Sequence, residues 1–283
     1  MKGVCLGVFC VFAAVGYSAT NDTGAADSGL TVAERRWFRG SVLCEVASAY
    51  LASSGALCDT RPVTAQELDW LVDLERFGWL DGYGWVISAL HDGQHRLHRE
   101  LFNEFEGAVH YGYSVQTSER TNLKNQFGFL WNPQIGYPND NGNYWGIHHI
   151  HSYDNPYLTP YCNALWMMQP RMMGRIRIGV RHSFQLTDSL SATPSIETVW
   201  SDNRRYIAKY GEQPDHAFLG GGFATERFDL TLRWNFTESL AMYAQFRQFM
   251  VLGGQTRRVV RARSEYYAKT DLIVGIVGIE YSF

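Results

Sequence analysis

The last eleven residues read Ile273-Val274-Gly275-Ile276-Val277-Gly278-Ile279-Glu280-Tyr281-Ser282-Phe283. Counting back by twos gives Phe283, Tyr281, Ile279, Val277, Gly275 and Ile273, a face that is apolar or aromatic to the final residue except at Gly275. A period of two belongs to a strand, whose side chains alternate between faces. The same period recurs upstream. Phe228, Leu230, Leu232, Trp234 and Phe236 stand against Asp229, Thr231, Arg233 and Asn235. Arg175, Arg177 and Arg181 share a face with Gly179, opposite Ile176, Ile178 and Val180. Leu190, Ala192, Ile196 and Trp200 oppose Ser191, Thr193, Ser195 and Glu197. Leu68, Trp70, Val72 and Leu74 oppose Glu67, Asp69, Asp73 and Glu75, with Leu71 out of pattern; Leu123, Phe127, Phe129 and Trp131 oppose Lys124, Gln126 and Gly128. On a helix these charges would encircle the axis, whereas on a strand they gather on one face.

Composition narrows what such strands can build. With 25 Lys+Arg against 28 Asp+Glu, the net charge of −3 gives no reason to expect nucleic acid as a partner. A hydrophobic share of 46% excludes general disorder. Beyond the first 19 residues no stretch approaches the ~18 apolar residues of a membrane helix. Yet 16 Phe, 16 Tyr and 9 Trp accompany 27 Gly. Two classes share that profile: a secreted sugar-binding β-protein, and a β-barrel with aromatic girdles. At the other end, Met1-Lys2-Gly3, the apolar run Val4 to Val15 and the small residues before Thr20 form a secretory signal peptide pattern over residues 1–19, with cleavage expected near Ala19. Neither Cys5 nor Cys10 sits in a lipid-anchor context. Cys44, Cys58 and Cys162 remain, an odd number. A strand over 44–55 would separate Cys44 from Cys58 beyond the ~7 Å between Cα atoms that a disulfide allows, so all three are expected to be unpaired.

Turn spacing separates the two classes. Thr187-Asp188-Ser189 and Thr237-Glu238-Ser239 are short connections, while 202–217 and 253–269 are long. Short turns at one end and long loops at the other are the asymmetry of a bacterial outer-membrane barrel. The terminal pattern resembles the last strand of outer-membrane β-barrel proteins. That resemblance implies a protein of the Gram-negative cell outer membrane, surrounded by its lipids and lipopolysaccharide. It also implies that Tyr281 and Phe283 are read by the barrel-assembly machinery. The predicted strands are 41–53, 65–77, 80–90, 98–114, 121–133, 143–152, 156–168, 173–186, 189–201, 218–236, 239–251 and 270–283. Twelve strands, with ten as the alternative, keep both termini on one side. The organisation expected is a signal peptide (1–19), a periplasmic N-terminal arm (20–38) and an all-β, antiparallel transmembrane β-barrel (39–283).

Between Ala47 and Tyr113, the residues Tyr50, Gly55, Asp59-Thr60-Arg61-Pro62-Val63, Phe77-Gly78, Gly84-Trp85, Asn103-Glu104 and Tyr111-Gly112-Tyr113 occur in order. They resemble the N-terminal half of the TorF-like putative porin family, over about a quarter of the chain. Ser54-Gly55 stands where that family's pattern has Arg-Gly. The resemblance implies a barrel with a porin-like role and identifies no solute.

A barrel turns each strand's polar face into lumen. Glu67, Asp69, Asp73, Glu75, Glu104 and Glu106 would then line one wall. Arg175, Arg177, Arg181, Arg233 and Arg247 would line the other, with Glu197 among them. Opposed walls set a transverse field across a pore for small hydrophilic solutes or ions. The alternative is a lumen plugged by acidic and basic side chains bridging a narrow barrel. Clustered arginines also suit acidic oligosaccharides, because their forks match carboxylates.

No catalytic, cofactor or metal site is expected. His91, His95 and His98 share a connection, and His148, His149 and His151 another stretch, and they read as solvated loop histidines rather than ligands. His182-Ser183 and His151-Ser152 are neighbours and so point to opposite faces of a strand, poor geometry for a base and its nucleophile. A lipid-modifying barrel enzyme and a structural or adhesive barrel are the rival readings.

Overall fold

The computed structural model describes residues 37–51, 57–59, 62–90, 102–133, 143–169, 173–201, 222–252 and 271–283. The alternating segments become one antiparallel sheet. Its strands are β1 (Phe38–Ala47), β2 (Val63–Asp73), β3 (Trp79–Ala89), β4 (Phe102–Ser118), β5 (Thr121–Pro133) and β6 (Asn143–Asp154). They continue with β7 (Thr159–Gln169), β8 (Met173–Arg181), β9 (Leu190–Ser201), β10 (Gly222–Asn235), β11 (Leu240–Val251) and β12 (Asp271–Ser282). The two-residue segment Phe184–Gln185 pairs with β9 and continues β8 past His182 and Ser183, so the staves number 12. Every strand pairs with its chain neighbour, and β12 pairs back onto β1 from Ser41 opposite Ser282 to Ala47 opposite Ile276. Closure leaves the sheet without a free edge, which a lipid environment requires. No described helix is long and apolar enough to cross a membrane, which says nothing about strands.

One rim carries short connections: 74–78, 119–120, 155–158, 186–189 and 236–239, together with the start of β1 and Phe283. Two of these turns are built identically. In Thr187-Asp188-Ser189-Leu190 the Thr187 Oγ1 accepts from Ser189 N at 3.4 Å and Leu190 N at 3.1 Å. In Thr237-Glu238-Ser239-Leu240 the Thr237 Oγ1 accepts from Ser239 N at 3.2 Å and Leu240 N at 2.9 Å. The side-chain oxygen completes a turn that the backbone alone would leave with unpaired donors. The signal peptide, the arm as far as residue 36, His91, His95, His98 and the connections 202–217 and 253–269 lie outside the described residues.

Glu75 corrects the sequence reading. The alternation carried the second strand to residue 77 and put Glu75 on the wall. β2 stops at Asp73, whose Oδ1 accepts the Glu75 N–H at 2.7 Å and starts a one-turn 3-10 segment, Glu75–Phe77. Glu75 takes φ +57° and Gly78 φ +95°, where an added Cβ would meet the Gly112 carbonyl oxygen at 2.1 Å. Glu75 is exposed in this turn. The first strand is also shorter than expected: it ends at Ala47, and Tyr50–Leu51 pairs with Leu57–Asp59 in a separate ribbon.

The many glycines and aromatics meet in cross-strand pairs. Tyr161 faces Gly179, Tyr243 faces Gly278 and Trp79 faces Gly112 inside the barrel. Outside, Trp70 faces Gly82, Trp166 faces Gly174, and Phe283 faces Gly40 through two backbone hydrogen bonds. In each pair an added Cβ on the glycine would come within 2.1–2.7 Å of the ring. The ring lies flat over its partner strand in space that only glycine leaves open, the aromatic rescue of glycine.

The outward face is apolar, with Phe127, Phe129, Trp131, Trp166, Ile178, Phe228, Trp234, Phe246, Val277 and Tyr281 all exposed. The inward face changes along the barrel axis. Near the rim opposite the short turns it is apolar and packed: Val63, Leu130, Val199, Val251 and Val274 are each no more than 2% exposed. Over the rest, charged and polar groups share the face with Leu43, Tyr83, Trp85, Ala108 and Ala241.

Candidate pore lining

A row of carboxylates crosses the inner wall. Register places Glu280 of β12 opposite Leu43 of β1, Leu43 opposite Glu67 of β2, Glu67 opposite Trp85 of β3, and Trp85 opposite Glu106 of β4. The carboxylates thus fall on alternate strands, about 10 Å apart at ~4.8 Å per strand. Glu45 and Asp69 sit one inward step away on β1 and β2, and all four other carboxylates act electrostatically on Glu67. Glu106 accepts from Tyr83 Oη at 2.8 Å and from Asn132 Nδ2 at 3.0 Å. Glu45 accepts from Tyr243 Oη, and Glu280 from the Arg233 guanidinium. Glu67 is buried, and its Oε1 has no hydrogen-bond partner among the described residues. Asp73 stands farther along β2, opposite Trp79. The side chain of Glu104 lies outside those described.

Across the lumen, Arg175, Arg177 and Arg181 of β8 point inward, because Ile178 and Val180 between them are exposed on the outer face. The Arg181 guanidinium lies 5.7 Å from the centre of the Tyr161 ring. Glu197 is buried between Arg177 Nε at 3.9 Å and Arg227 at 3.6 Å, and accepts from Tyr161 Oη at 3.0 Å. Arg227 and Arg247 both hold Asp229, each through Nε at 2.9 Å. Glu197, expected simply as lining, is therefore a counter-ion within an arginine group. So is Asp229.

A third cluster escaped the sequence reading. Asp81 of β3 accepts from His110 Nδ1 at 2.9 Å, Trp79 Nε1 at 2.6 Å and Gln126 Nε2 at 2.6 Å. His110 Nε2 lies 2.9 Å from His148 Nδ1, and His148 Nε2 lies 2.8 Å from the Asn163 side-chain amide. Asp81 Oδ1 accepts the Nδ1–H of His110, and Asn163 Oδ1 accepts the Nε2–H of His148. Gly128 is paired with both His110 and His148, and a Cβ there would stand 2.1 Å from the Val109 carbonyl oxygen and 2.5 Å from the His110 ring. Its missing side chain is the gap through which the imidazoles meet. Periodicity could have placed His110 and His148 inward; nothing in the sequence marked them as partners. Arg227, Glu45, Glu280 and Tyr243 were equally readable from alternation but were not singled out.

His149 and His151 lie on the outer face, ring centroids 4.0 Å apart, with His151 Nδ1 against Asn125 Oδ1. Ser183 Oγ accepts from Thr193 Oγ1 at 3.1 Å. Cys162 carries a free thiol, and the side chain of Cys58 lies outside those described.

No protein-family model matches the chain, and no curated protein matches it. Among solved structures it is similar to an outer membrane channel from Pseudomonas putida F1, at 12% identity and a TM-score of 0.49 over 87% of this chain and 95% of that one. It is also similar to the KdgM porin, at 9% identity and a TM-score of 0.45 over 87% and 99%. A further match is that porin in complex with disordered oligogalacturonate. The fold rests on the strand pairing described above, and the likeness of residues 47–113 to the TorF-like group rests on the quoted residues alone.

Proposed function

We propose that the chain is a porin-like channel of the bacterial outer membrane, passing small hydrophilic solutes or ions through the barrel. One observation carries the reading: a closed barrel with an apolar outer face encloses an inner wall of titratable side chains, carboxylates on β12 and β1–β4 and arginines on β8, β10 and β11. In a ring of 12 staves β2 and β8 stand opposite each other. The separation supports a transverse field across the lumen. The outer face meets lipid and lipopolysaccharide, and the aromatic end of β12, with Tyr281 and Phe283, serves the assembly machinery. The order of residues 47–113 supports a relation to the TorF-like porins.

Planar-bilayer recording of the refolded protein is the test. Discrete conductance steps are expected, and joint replacement of Arg175, Arg177 and Arg181 by Gln should shift ion selectivity toward cations. The packed apolar end formed by Val63, Leu130, Val199, Val251 and Val274 favours a second reading, a structural barrel closed at that end. Silence at all voltages from folded protein would establish that reading instead.

A further inference from the structure

We infer that His149 and His151 form a two-imidazole site for a divalent transition-metal ion on the outer face of β6, beside the short-turn rim. The sequence reads both as solvated loop histidines, but they stand on a strand. The site does not depend on whether the barrel conducts.

Two positions apart on β6, the imidazoles project from the same face, and their ring centres lie 4.0 Å apart. One ion bound to two ring nitrogens at ~2.0–2.1 Å holds those nitrogens about 3 Å apart, a spacing that rings this close reach by small rotations. Neighbouring side chains set both rings. Phe127, opposite His149 on β5, meets it edge-on at 5.8 Å. Asn125, opposite His151, accepts the His151 Nδ1–H through its Oδ1. In the neutral ring that leaves the lone pair on Nε2. Ligating histidines are held in this way, the second ring nitrogen donating to an oxygen that fixes tautomer and orientation.

Asn125 is the residue that a merely lipid-facing wall does not account for. It shares its row of β5 with Leu123, Phe127 and Phe129, all exposed on the apolar exterior, yet it is only 7% exposed itself. An amide in such a row is costly without a partner, and His151 supplies one. Among the described residues no group of three or more His, Cys, Asp or Glu side chains could hold a metal ion. Two imidazoles are therefore the protein's share, and water completes the coordination. Imidazole suits Cu²⁺, Ni²⁺ and Zn²⁺, with Cu²⁺ bound most tightly, whereas Mg²⁺ and Ca²⁺ take oxygen ligands. Both rings are half-buried, and β6 ends at Asp154, three residues beyond His151. An ion thus reaches them from the rim, about 10 Å of strand away, without entering the lumen.

The probes are Zn²⁺ and Cu²⁺, added to the refolded full barrel without a histidine tag. Calorimetric titration in non-ionic detergent should show a site that takes Zn²⁺ and ignores Mg²⁺. The electron paramagnetic resonance spectrum of bound Cu²⁺ should carry the coupling of two nitrogens. His149→Gln and His151→Gln should each weaken binding about tenfold or more and reduce that coupling to one nitrogen. Asn125→Ala keeps both imidazoles; it should weaken binding about tenfold and leave two nitrogens coupled at saturation. Joint replacement of His91, His95 and His98 by Gln should leave the site intact. Heat-modifiable gel migration establishes that each variant is folded, and if one of the two histidine variants is not, the other carries the comparison. Affinity equal in wild type and the folded His149→Gln or His151→Gln variant overturns the inference. So does a site that disappears with His91, His95 and His98, or a spectrum without two coupled nitrogens. Absence of Zn²⁺ and Cu²⁺ binding to the wild-type barrel overturns it outright.

Discussion

The glycine–aromatic pairs show how one missing atom sets several contacts. Gly128 touches no solute and yet allows His110 and His148 to hydrogen-bond at 2.9 Å with Asp81 and Asn163 at the ends of the chain. Gly128→Ala should press on the Val109 carbonyl oxygen and the His110 ring, separating the two imidazoles. The expected loss is about 1–3 kcal/mol from overpacking and unpaired groups, read from urea unfolding of the refolded barrel in detergent. If stability were unchanged, the gap at Gly128 would not be what holds the pair. Residues of this kind were the least legible in the sequence. Alternation says which face Gly128 occupies. It does not say that two histidines on β4 and β6 reach across it, because that depends on register. By contrast Arg175, Arg177 and Arg181 announced themselves, since a charge repeated at every second or fourth position needs no register to be read.

Strands were legible because their period is a local property, and their ends were less so because turns are made by side chains acting on backbone. β2 illustrates both. Its face of Glu67, Asp69 and Asp73 was readable, but Asp73 accepts the Glu75 N–H and the strand stops there, four residues before its expected end at 77. The paired turns at Thr187 and Thr237 were located by their length, while their shared construction emerged from the hydrogen bonds. Thr187→Ala and Thr237→Ala should each cost about 0.5–1.5 kcal/mol, the net worth of a hydrogen bond. The turns are joined where Asn235 N–H donates to the Ser189 carbonyl at 2.8 Å, so the double variant should depart from the sum of the single effects. Denaturant titration of the three variants checks this, and effects that simply add would mean that this bond does not couple the turns.

At the scale of the whole barrel, the two faces have opposite tolerances. Val277 is mid-strand on the outer face and more than half exposed. Val277→Arg should cost about 2–4 kcal/mol in a bilayer, and Thr193→Arg on the inner face should cost much less. Folding titrations into lipid vesicles measure both, and equal costs would argue against a lipid-facing exterior. The barrel class itself was legible from the faces, the turns and the terminal strand together. The two-zone interior was not: Val199, Val251 and Val274 read as ordinary strand residues, and Val63 fell before the expected strand start at 65, until closure brought them to one end.

The seam between β1 and β12 joins the beginning of the described chain to its end. Phe283 exchanges backbone hydrogen bonds with Gly40 at 2.9 and 3.1 Å, and its ring lies 6.3 Å from that of Phe38. The fold is therefore a ring cut at one arbitrary hairpin. A circular permutant that links Phe283 to Trp37 by a short turn and opens the chain at Asp188 would keep every stave and both contacts. Both ends would move, and residues 1–36 are carried to the new start so that the export signal is kept. Such a molecule should refold in detergent like its parent and fail to mature in cells, which would divide the work of Phe283 between holding the seam and presenting an address. Normal maturation of the permutant would show that the seam contact is its whole role.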